Sequence, residues 1–140
     1  MTVILDTNVI VRHLTQQPPD QGAAASRYLA TADSLLLTDV IVAETVHVLH
    51  SVYQAPASAI VLSLRALMAM RSVEVERGRV VRRAVDLYET EHMDFTDAYL
   101  VAVAEAGGIG QIASFDHGID KAMRKASPVT RLDPLTGRAS

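Results

Sequence analysis

Short apolar segments of strand length alternate with longer helical segments along this chain, and that alternation restricts the fold more than any other feature. Segments that alternate in this way build a mostly parallel sheet with helices packed on both faces. We therefore predict an α/β fold, a three-layer α/β/α arrangement around a sheet of four to five strands. The predicted strands cover 2–5, 34–38, 71–76, 111–115 and 129–132, the last of them an edge strand.

Helical patterns fill the intervals between these strands. A short helix is predicted directly after Asp6, and a helix rich in valine and isoleucine is predicted to begin with Asp39 as its N-cap. A helix that is apolar over much of its circumference is predicted to begin at Pro56. The remaining predicted helices follow the same periodicity or begin at helix-start signals. Together the predicted helices cover 9–14, 23–33, 39–53, 56–70, 79–91, 94–106 and 119–125.

The length of 140 residues fits one compact domain, predicted over 1–132 with a loose tail over 133–140. An apolar fraction of 49% excludes a disordered chain. The absence of cysteine excludes disulfides, thiolate zinc sites and cysteine nucleophiles. No apolar run reaches the roughly 20 residues of a membrane helix, and no signal-peptide pattern is present. A cytoplasmic protein without membrane contact is predicted.

Two acidic residues stand where predicted strands end: Asp6 closes the first strand, and Asp116 lies just after the fourth. Open sheets of this kind bind ligands beyond the carboxyl ends of their strands. Each acid also has an ordinary explanation, because an aspartate in this position often caps the following helix. Taken singly, therefore, neither residue establishes a site.

Three further acids are candidates for the same site. Glu44 interrupts an apolar helical segment, although its stem can pack while its carboxylate reaches water, or it can pair with an arginine such as Arg65. Asp94 and Asp97 occupy a predicted first helical turn, where a cap and a dipole-favoured acid are common. Both explanations can hold together, with Asp94 capping and Asp97 directed into a site.

Several carboxylates brought together from separate elements repel one another, so some must be neutral or paired. A divalent cation resolves that conflict. Oxygen ligands without cysteine favour Mg²⁺ or Mn²⁺ over zinc. Such ions lower the pKa of a bound water and stabilise the oxygens of a phosphodiester during displacement. The acids therefore predict hydrolytic phosphodiester chemistry.

The order of these segments resembles the PIN domain, and more closely the VapC-like toxins of bacterial type II toxin–antitoxin systems. The matching segments are Ile4-Leu5-Asp6-Thr7-Asn8, Ala43-Glu44, Asp94-Phe95-Thr96-Asp97-Ala98 and Ser114-Phe115-Asp116. Carried over by position, the resemblance implies a catalytic, metal-binding quartet of Asp6, Glu44, Asp97 and Asp116, with Asp94 as a companion metal-binding acid. It also implies that Thr7 or Asn8 and Ser114 orient the carboxylates and water.

The resemblance implies an Mg²⁺- or Mn²⁺-dependent endoribonuclease whose products carry a 5'-phosphate and a 3'-hydroxyl. It further implies a homodimer and a VapB-like antitoxin whose C-terminal segment crosses the active-site groove. The apolar helices over 40–53 and 56–70 can supply both contacts, although core packing is the default explanation for most of their residues.

The charge balance neither favours nor excludes an RNA substrate. The formal net charge of −3 argues against simple electrostatic attraction, but if a metal holds four of the 16 acidic residues, the other 12 face 13 lysines and arginines. Two basic clusters can steer RNA phosphates or antitoxin carboxylates, or can simply be solvated helix faces. The clusters are Arg77, Arg79, Arg82 and Arg83, and Lys121, Arg124 and Lys125.

Two other functions are compatible with parts of the sequence. A catalytically silent PIN-like module would bind RNA or a protein, although acids at all four quartet positions count against it. A phosphotransfer domain would need a second acid beside Asp6 and a late lysine, where the chain has Thr7, Asn8 and Ser114. His47 and His50 lack further groups to complete a metal site, and neither a serine nucleophile elbow nor a phosphate-binding glycine loop occurs.

Overall fold

The computed structural model describes residues 1–122 and 125–140, which form two compact units, Met1–Gly78 and Arg79–Ser140. The single domain predicted over 1–132 stays a prediction. The first unit alternates three strands with four helices, as the sequence pattern predicts. These elements are β1 (Val3–Ile4), α1 (Thr7–Thr15), α2 (Pro19–Thr31), β2 (Leu35–Leu37), α3 (Asp39–Ser51), α4 (Ala57–Met68) and β3 (Val73–Val75).

The sheet of the first unit is parallel and has the order β1-β2-β3. The predicted sheet of four to five strands is therefore wrong, because the segments at 111–113 and 130–133 pair with each other in the second unit. An apolar run identifies a strand but not its hydrogen-bonding partner. The three-layer arrangement stays a prediction.

The strand β1 differs from the buried strand predicted over 2–5. It lies at the edge of its sheet, and the side chains of Val3 and Ile4 are 42% and 63% exposed. Burial begins at Leu5, which is 1% exposed, and continues into the central strand β2. The apolar core of this unit therefore starts one residue before Asp6.

The helices of the first unit pack closely, with α1 against α2 and α3, and α4 against α3 and β3. The close approach of α1 and α2 depends on Gly22, because a Cβ there would lie 2.6 Å from the Cα of Gln16. The N-cap of α3 is Thr38 rather than the predicted Asp39: the Thr38 hydroxyl accepts a hydrogen bond from the Ile41 amide. The first turn of α3 is thus fixed by a side-chain cap.

The second unit contains α5 (Gly78–Thr90), α6 (Phe95–Gly107), β4 (Gln111–Ala113), a 3₁₀ helix (His117–Ala122), β5 (Thr130–Asp133) and β6 (Arg138–Ala139). The strand β4 pairs with β5 in parallel, and β5 pairs with β6 in antiparallel. The tail predicted to be loose over 133–140 thus contains a strand. The helix predicted over 119–125 is a 3₁₀ helix in its described part. No helix among the described residues is long and apolar enough to cross a membrane.

Candidate active site

Asp6 joins β1 to α1, and its backbone has the extended conformation of an N-cap residue. Its side chain, however, makes no capping hydrogen bond, and the residue is exposed. The ordinary explanation for this aspartate, helix capping, therefore does not use its carboxylate. The carboxylate of Asp6 therefore lies at the start of α1 without a capping role.

Thr7, the first residue of α1, connects this position to α3. Its side chain is buried, and its hydroxyl donates a hydrogen bond of 2.7 Å to Oε2 of Glu44. Glu44 is itself exposed, so the apolar surroundings of α3 do not bury it. The hydroxyl of Thr7 thus holds the carboxylate of Glu44 beside the first turn of α1. Asp6 is the residue directly before Thr7.

In the second unit, the carboxylates of Asp97 and Asp116 converge on Gly118. A Cβ on Gly118 would lie 2.7 Å from Oδ2 of Asp97 and 3.2 Å from Oδ1 of Asp116. The backbone of Gly118 is not left-handed, so its conformation does not require glycine. The residue is glycine because a Cβ would have no room there. The absence of a side chain lets two carboxylates from different elements approach the same point.

The environment of Asp97 raises the pKa of its carboxyl group. Burial is the largest cause, followed by repulsion from Asp116 and then from Asp94, while Lys121 lowers the pKa. Each of the first three disfavours the ionised form. The ionised form of Asp97 is therefore disfavoured at this end of α6.

The loop between β4 and the 3₁₀ helix presents Asp116. The Ser114 hydroxyl accepts a hydrogen bond of 2.9 Å from the Asp116 amide, and Oδ1 of Asp116 accepts one of 2.8 Å from the Gly118 amide. Helix capping thus accounts for one oxygen of Asp116. Its other oxygen has no partner among the residues described, so capping and a role in a site are compatible.

Asp94 precedes α6 as its N-cap residue, but its side chain makes no capping hydrogen bond and is exposed. Its charge contributes to the raised pKa of Asp97. Asp94 is therefore the N-cap residue of α6, as predicted, although its carboxylate makes no capping hydrogen bond, and a role of Asp97 in a site stays a prediction. Both aspartates have carboxylates that the helix does not use.

Arg131 was missed by the sequence reasoning, although it supports the loop that carries Asp116. Its guanidinium is 3% exposed and donates a hydrogen bond to the Ser114 carbonyl (3.0 Å) and one to Oδ1 of Asp120 (2.9 Å). Burial alone would raise the pKa of Asp120, but Arg131 and His117 together hold it below its ordinary value. Asp120, expected on the solvent side, is thus half-buried and paired. The sequence signal for this buried role was a charged residue, Arg131, between Thr130 and Leu132 in a predicted strand.

The candidate residues are grouped by unit. The first unit holds Asp6 and Glu44, and the second holds Asp94, Asp97 and Asp116. Among the described residues, no group of three or more acids or histidines lies close enough together to hold a metal ion. Asn8 lines a cavity between α1 and α2.

The predicted basic clusters are partly used for internal contacts. Arg83 donates to both carboxylate oxygens of Glu105 and to the carbonyl of Ala126, so its guanidinium is occupied. Lys121 donates to the carbonyl of His92 and lies near enough to lower the pKa of Asp97. Arg124, the middle residue of the second cluster, lies outside the described residues.

Comparison with known proteins gives one family match. The sequence model described as the PIN domain matches residues 3–125, a range that includes every candidate residue from Asp6 to Asp116. No curated protein matches the chain. Among solved structures, VapC20 of Mycobacterium tuberculosis, described as a sarcin–ricin-loop-cleaving toxin, is 19% identical. That match covers 90% of this chain and 98% of the other, with a TM-score of 0.42.

Proposed function

This chain belongs to the PIN domain family, and from that premise we propose that it is a divalent-metal-dependent endoribonuclease that hydrolyses RNA phosphodiester bonds. One observation carries the proposal: the carboxylates of Asp97 and Asp116 converge on Gly118, where burial and like charge raise the pKa of Asp97. Such an arrangement disfavours the ionised form of Asp97, and a bound cation would offset that effect. Capping of the Gly118 amide accounts for the position of Oδ1 of Asp116, but it does not account for the approach of Asp97 to the same glycine.

The proposed metal ligands and catalytic groups are Asp6, Glu44, Asp97 and Asp116. Asp94 is proposed as an additional acid. This donor set fits Mg²⁺ or Mn²⁺, because all its donors are carboxylate oxygens and the chain has no cysteine. Such an ion, when bound, supplies an activated water and neutralises charge on the reacting phosphate.

The chain's other residues hold these acids in place. Thr7 fixes one oxygen of Glu44, and Ser114 fixes the backbone of Asp116 through its hydroxyl. Arg131 restrains the same loop through the Ser114 carbonyl. Groups that orient ligands in this way ordinarily change metal affinity or activity by about 10–100-fold when they are removed.

The proposal includes a biological setting, a VapC-like toxin that forms a homodimer and is neutralised by a VapB-like antitoxin. Apolar side chains on the surface of α3 and α4 support a protein interface there, since Val40 is 70% and Leu62 is 72% exposed. Val52, directly after α3, is similarly exposed.

RNA cleavage by purified protein tests the catalytic part. Protein freed of any partner is incubated with single-stranded or structured RNA, and cleavage is expected with Mg²⁺ or Mn²⁺ and is expected to stop with EDTA. Asp6→Asn should abolish cleavage while the circular dichroism spectrum stays that of the parent. Asp20→Asn, an exposed acid in the first turn of α2, is the matched control and should cleave normally.

Two results would contradict the proposal. Cleavage at the parental rate by Asp6→Asn would remove this carboxylate from the mechanism. RNA binding without cleavage by the parent, at any concentration of either metal, would instead support a silent binding module. Co-purification with a small DNA-binding protein encoded by the adjacent gene tests the toxin–antitoxin setting.

A further inference from the structure

A cavity of about 350 Å³ lies between α1 and α2, wholly within the first unit. Its volume is near the lower end of the range for small-molecule sites, about 300–1,000 Å³. Residues spaced by one helical turn on each helix face one another across it. The lining residues are Asn8, Val9 and Arg12 from α1, and Gln21, Ala24, Ala25 and Tyr28 from α2.

Arg12 places a positive charge in this cavity. Its Nε donates a hydrogen bond of 2.9 Å to Oε1 of Gln21, which fixes the orientation of the guanidinium. Among the described residues, no carboxylate pairs with Arg12, and its terminal nitrogens have no hydrogen-bond acceptor. An oriented guanidinium with free donors is well suited to bind a phosphate oxygen pair.

Tyr28 supplies an aromatic surface to the same cavity. Its side chain is 40% exposed, and the small side chains of Ala24 and Ala25 leave room beside it. Aromatic side chains in such positions stack on unpaired bases of single-stranded nucleic acid. Asn8 adds an exposed amide, which can both donate to and accept from a base edge.

The two walls of the cavity are held together before any ligand binds. Gly22 allows the close approach of α2 to Gln16, at the end of α1. The amide of Gln16 donates to the His13 carbonyl and to the Ser26 hydroxyl, and His13 also hydrogen-bonds Ser26. A cavity with fixed walls binds a ligand at lower entropic cost than a mobile one.

We propose that this cavity binds one nucleotide of a single-stranded RNA, with the base on Tyr28 and its phosphate on Arg12. The inference rests on the proposed ribonuclease function and extends it by a substrate subsite. Asn8 lies in the first turn of α1, two residues after Asp6, so a proposed metal ligand and a cavity-lining residue are close along the chain. The combination of one cation, one aromatic ring and one amide in a bounded cavity fits a nucleotide better than an extended peptide.

Binding measurements in the Asp6→Asn background test the base contact without cleavage. The probe is a fluorescein-labelled single-stranded RNA of about 12 nucleotides, read by fluorescence anisotropy. Tyr28→Leu should raise Kd roughly tenfold, since stacking of one base contributes about 1–3 kcal/mol, while Tyr28→Phe should bind as the parent does. Tyr53→Leu is the matched control, because Tyr53 is 39% exposed and lies outside the cavity.

Abasic substitution at each position of the same RNA identifies the base. At one position of the RNA, removal of the base should raise Kd for the protein with Tyr28. The same removal should leave Kd unchanged for Tyr28→Leu, because the two changes remove the same contact. A position that stays equally sensitive in both proteins would show that Tyr28 does not stack on it and would overturn the base assignment.

Salt dependence tests the phosphate contact separately. Arg12→Gln should reduce the slope of log Kd against log salt concentration by about 0.7, the value for one phosphate contact on a single strand. Arg27→Gln, which removes an exposed arginine of α2 outside the cavity, should leave the slope unchanged.

The outcomes separate this inference from the proposed function. If the active parent cleaves RNA but Tyr28→Leu and Arg12→Gln bind RNA as the parent does, the subsite is wrong and the function stands. If the active parent neither binds nor cleaves RNA, the function is wrong as well. If both variants keep RNA binding and lose binding of the antitoxin's C-terminal segment, the cavity is a peptide site, which also overturns the inference.

Discussion

Replacing Gly118 by alanine tests the convergence of the two carboxylates most sharply. The new methyl group would lie 2.7 Å from Oδ2 of Asp97, whereas ordinary contact begins at 3.4 Å. The carboxylate must therefore move away by rotation or by displacement of the loop. Because its oxygen is at the end of a side chain, we expect a stability loss of under about 1 kcal/mol. A catalytic group displaced by about 1 Å costs roughly 100-fold in rate, so kcat/KM should fall by about that factor.

The assay compares kcat/KM for RNA cleavage, the affinity for Mn²⁺ and the free energy of unfolding in urea. Gly110→Ala is the matched control, because a Cβ there meets nothing within 4 Å and its backbone is not left-handed. It should behave as the parent in all three measurements. Parental kcat/KM and Mn²⁺ affinity in Gly118→Ala would refute the reasoning, since the displaced carboxylate would then have no part in the site.

Three further predictions concern residues that hold the structure or the site in place. Arg131→Met should lower the free energy of unfolding, measured by urea titration, by about 2–3 kcal/mol. This loss is smaller than the loss expected for a fully buried ion pair, because Asp120 keeps some contact with water. Glu105→Gln should cost about 1 kcal/mol at pH 7, discounted for solvent screening. The hydrogen bond from Arg83 holds the pKa of Glu105 below its ordinary 4.5, against the effect of burial. The stability that the ion pair contributes is therefore fully present above pH 4.5, and it is lost as the pH falls through the lowered pKa of Glu105. Thr7→Val should keep the fold and lower kcat/KM about 10–100-fold, because it frees the carboxylate that the hydroxyl holds.

Each of these predictions has an exposed control of the same residue type. Arg138→Met, Glu74→Gln and Thr31→Val should change neither stability nor activity appreciably. An Arg131→Met protein as stable as Arg138→Met would contradict the role of the buried guanidinium. A cost of Glu105→Gln that stays constant from pH 7 to well below 4.5 would contradict its ionic origin. Full activity of Thr7→Val would show that Glu44 needs no restraint.

The sequence identifies local features of this chain well. Runs such as Leu35 to Leu37 are apolar over strand length, and Gly107 with Gly108 ends α6, where Gly108 has a left-handed backbone. The acids Asp6 and Asp97 stand out because polar residues interrupt apolar segments at element boundaries. These signals depend on neighbouring residues alone, and composition and periodicity therefore reveal them.

The features that sequence reasoning missed depend on which residues become partners in the folded chain. The role of Gly118 exists only because carboxylates from α6 and from its own loop meet there. The strand β6 forms without an apolar run, because a turn with a left-handed Gly137 returns the chain to β5, and the Gly137 amide donates to the Asp133 carbonyl. Likewise, no periodicity indicates that β4 pairs with β5 rather than extending the first sheet.

Titration of metal-free protein with Mn²⁺, followed by electron paramagnetic resonance, tests the central claim most directly. The parent should bind the ion, and Asp6→Asn and Asp97→Asn should each weaken its affinity at least about tenfold, because each removes a proposed ligand. Asp20→Asn should bind as the parent does. Unchanged Mn²⁺ affinity in both ligand variants would contradict the account.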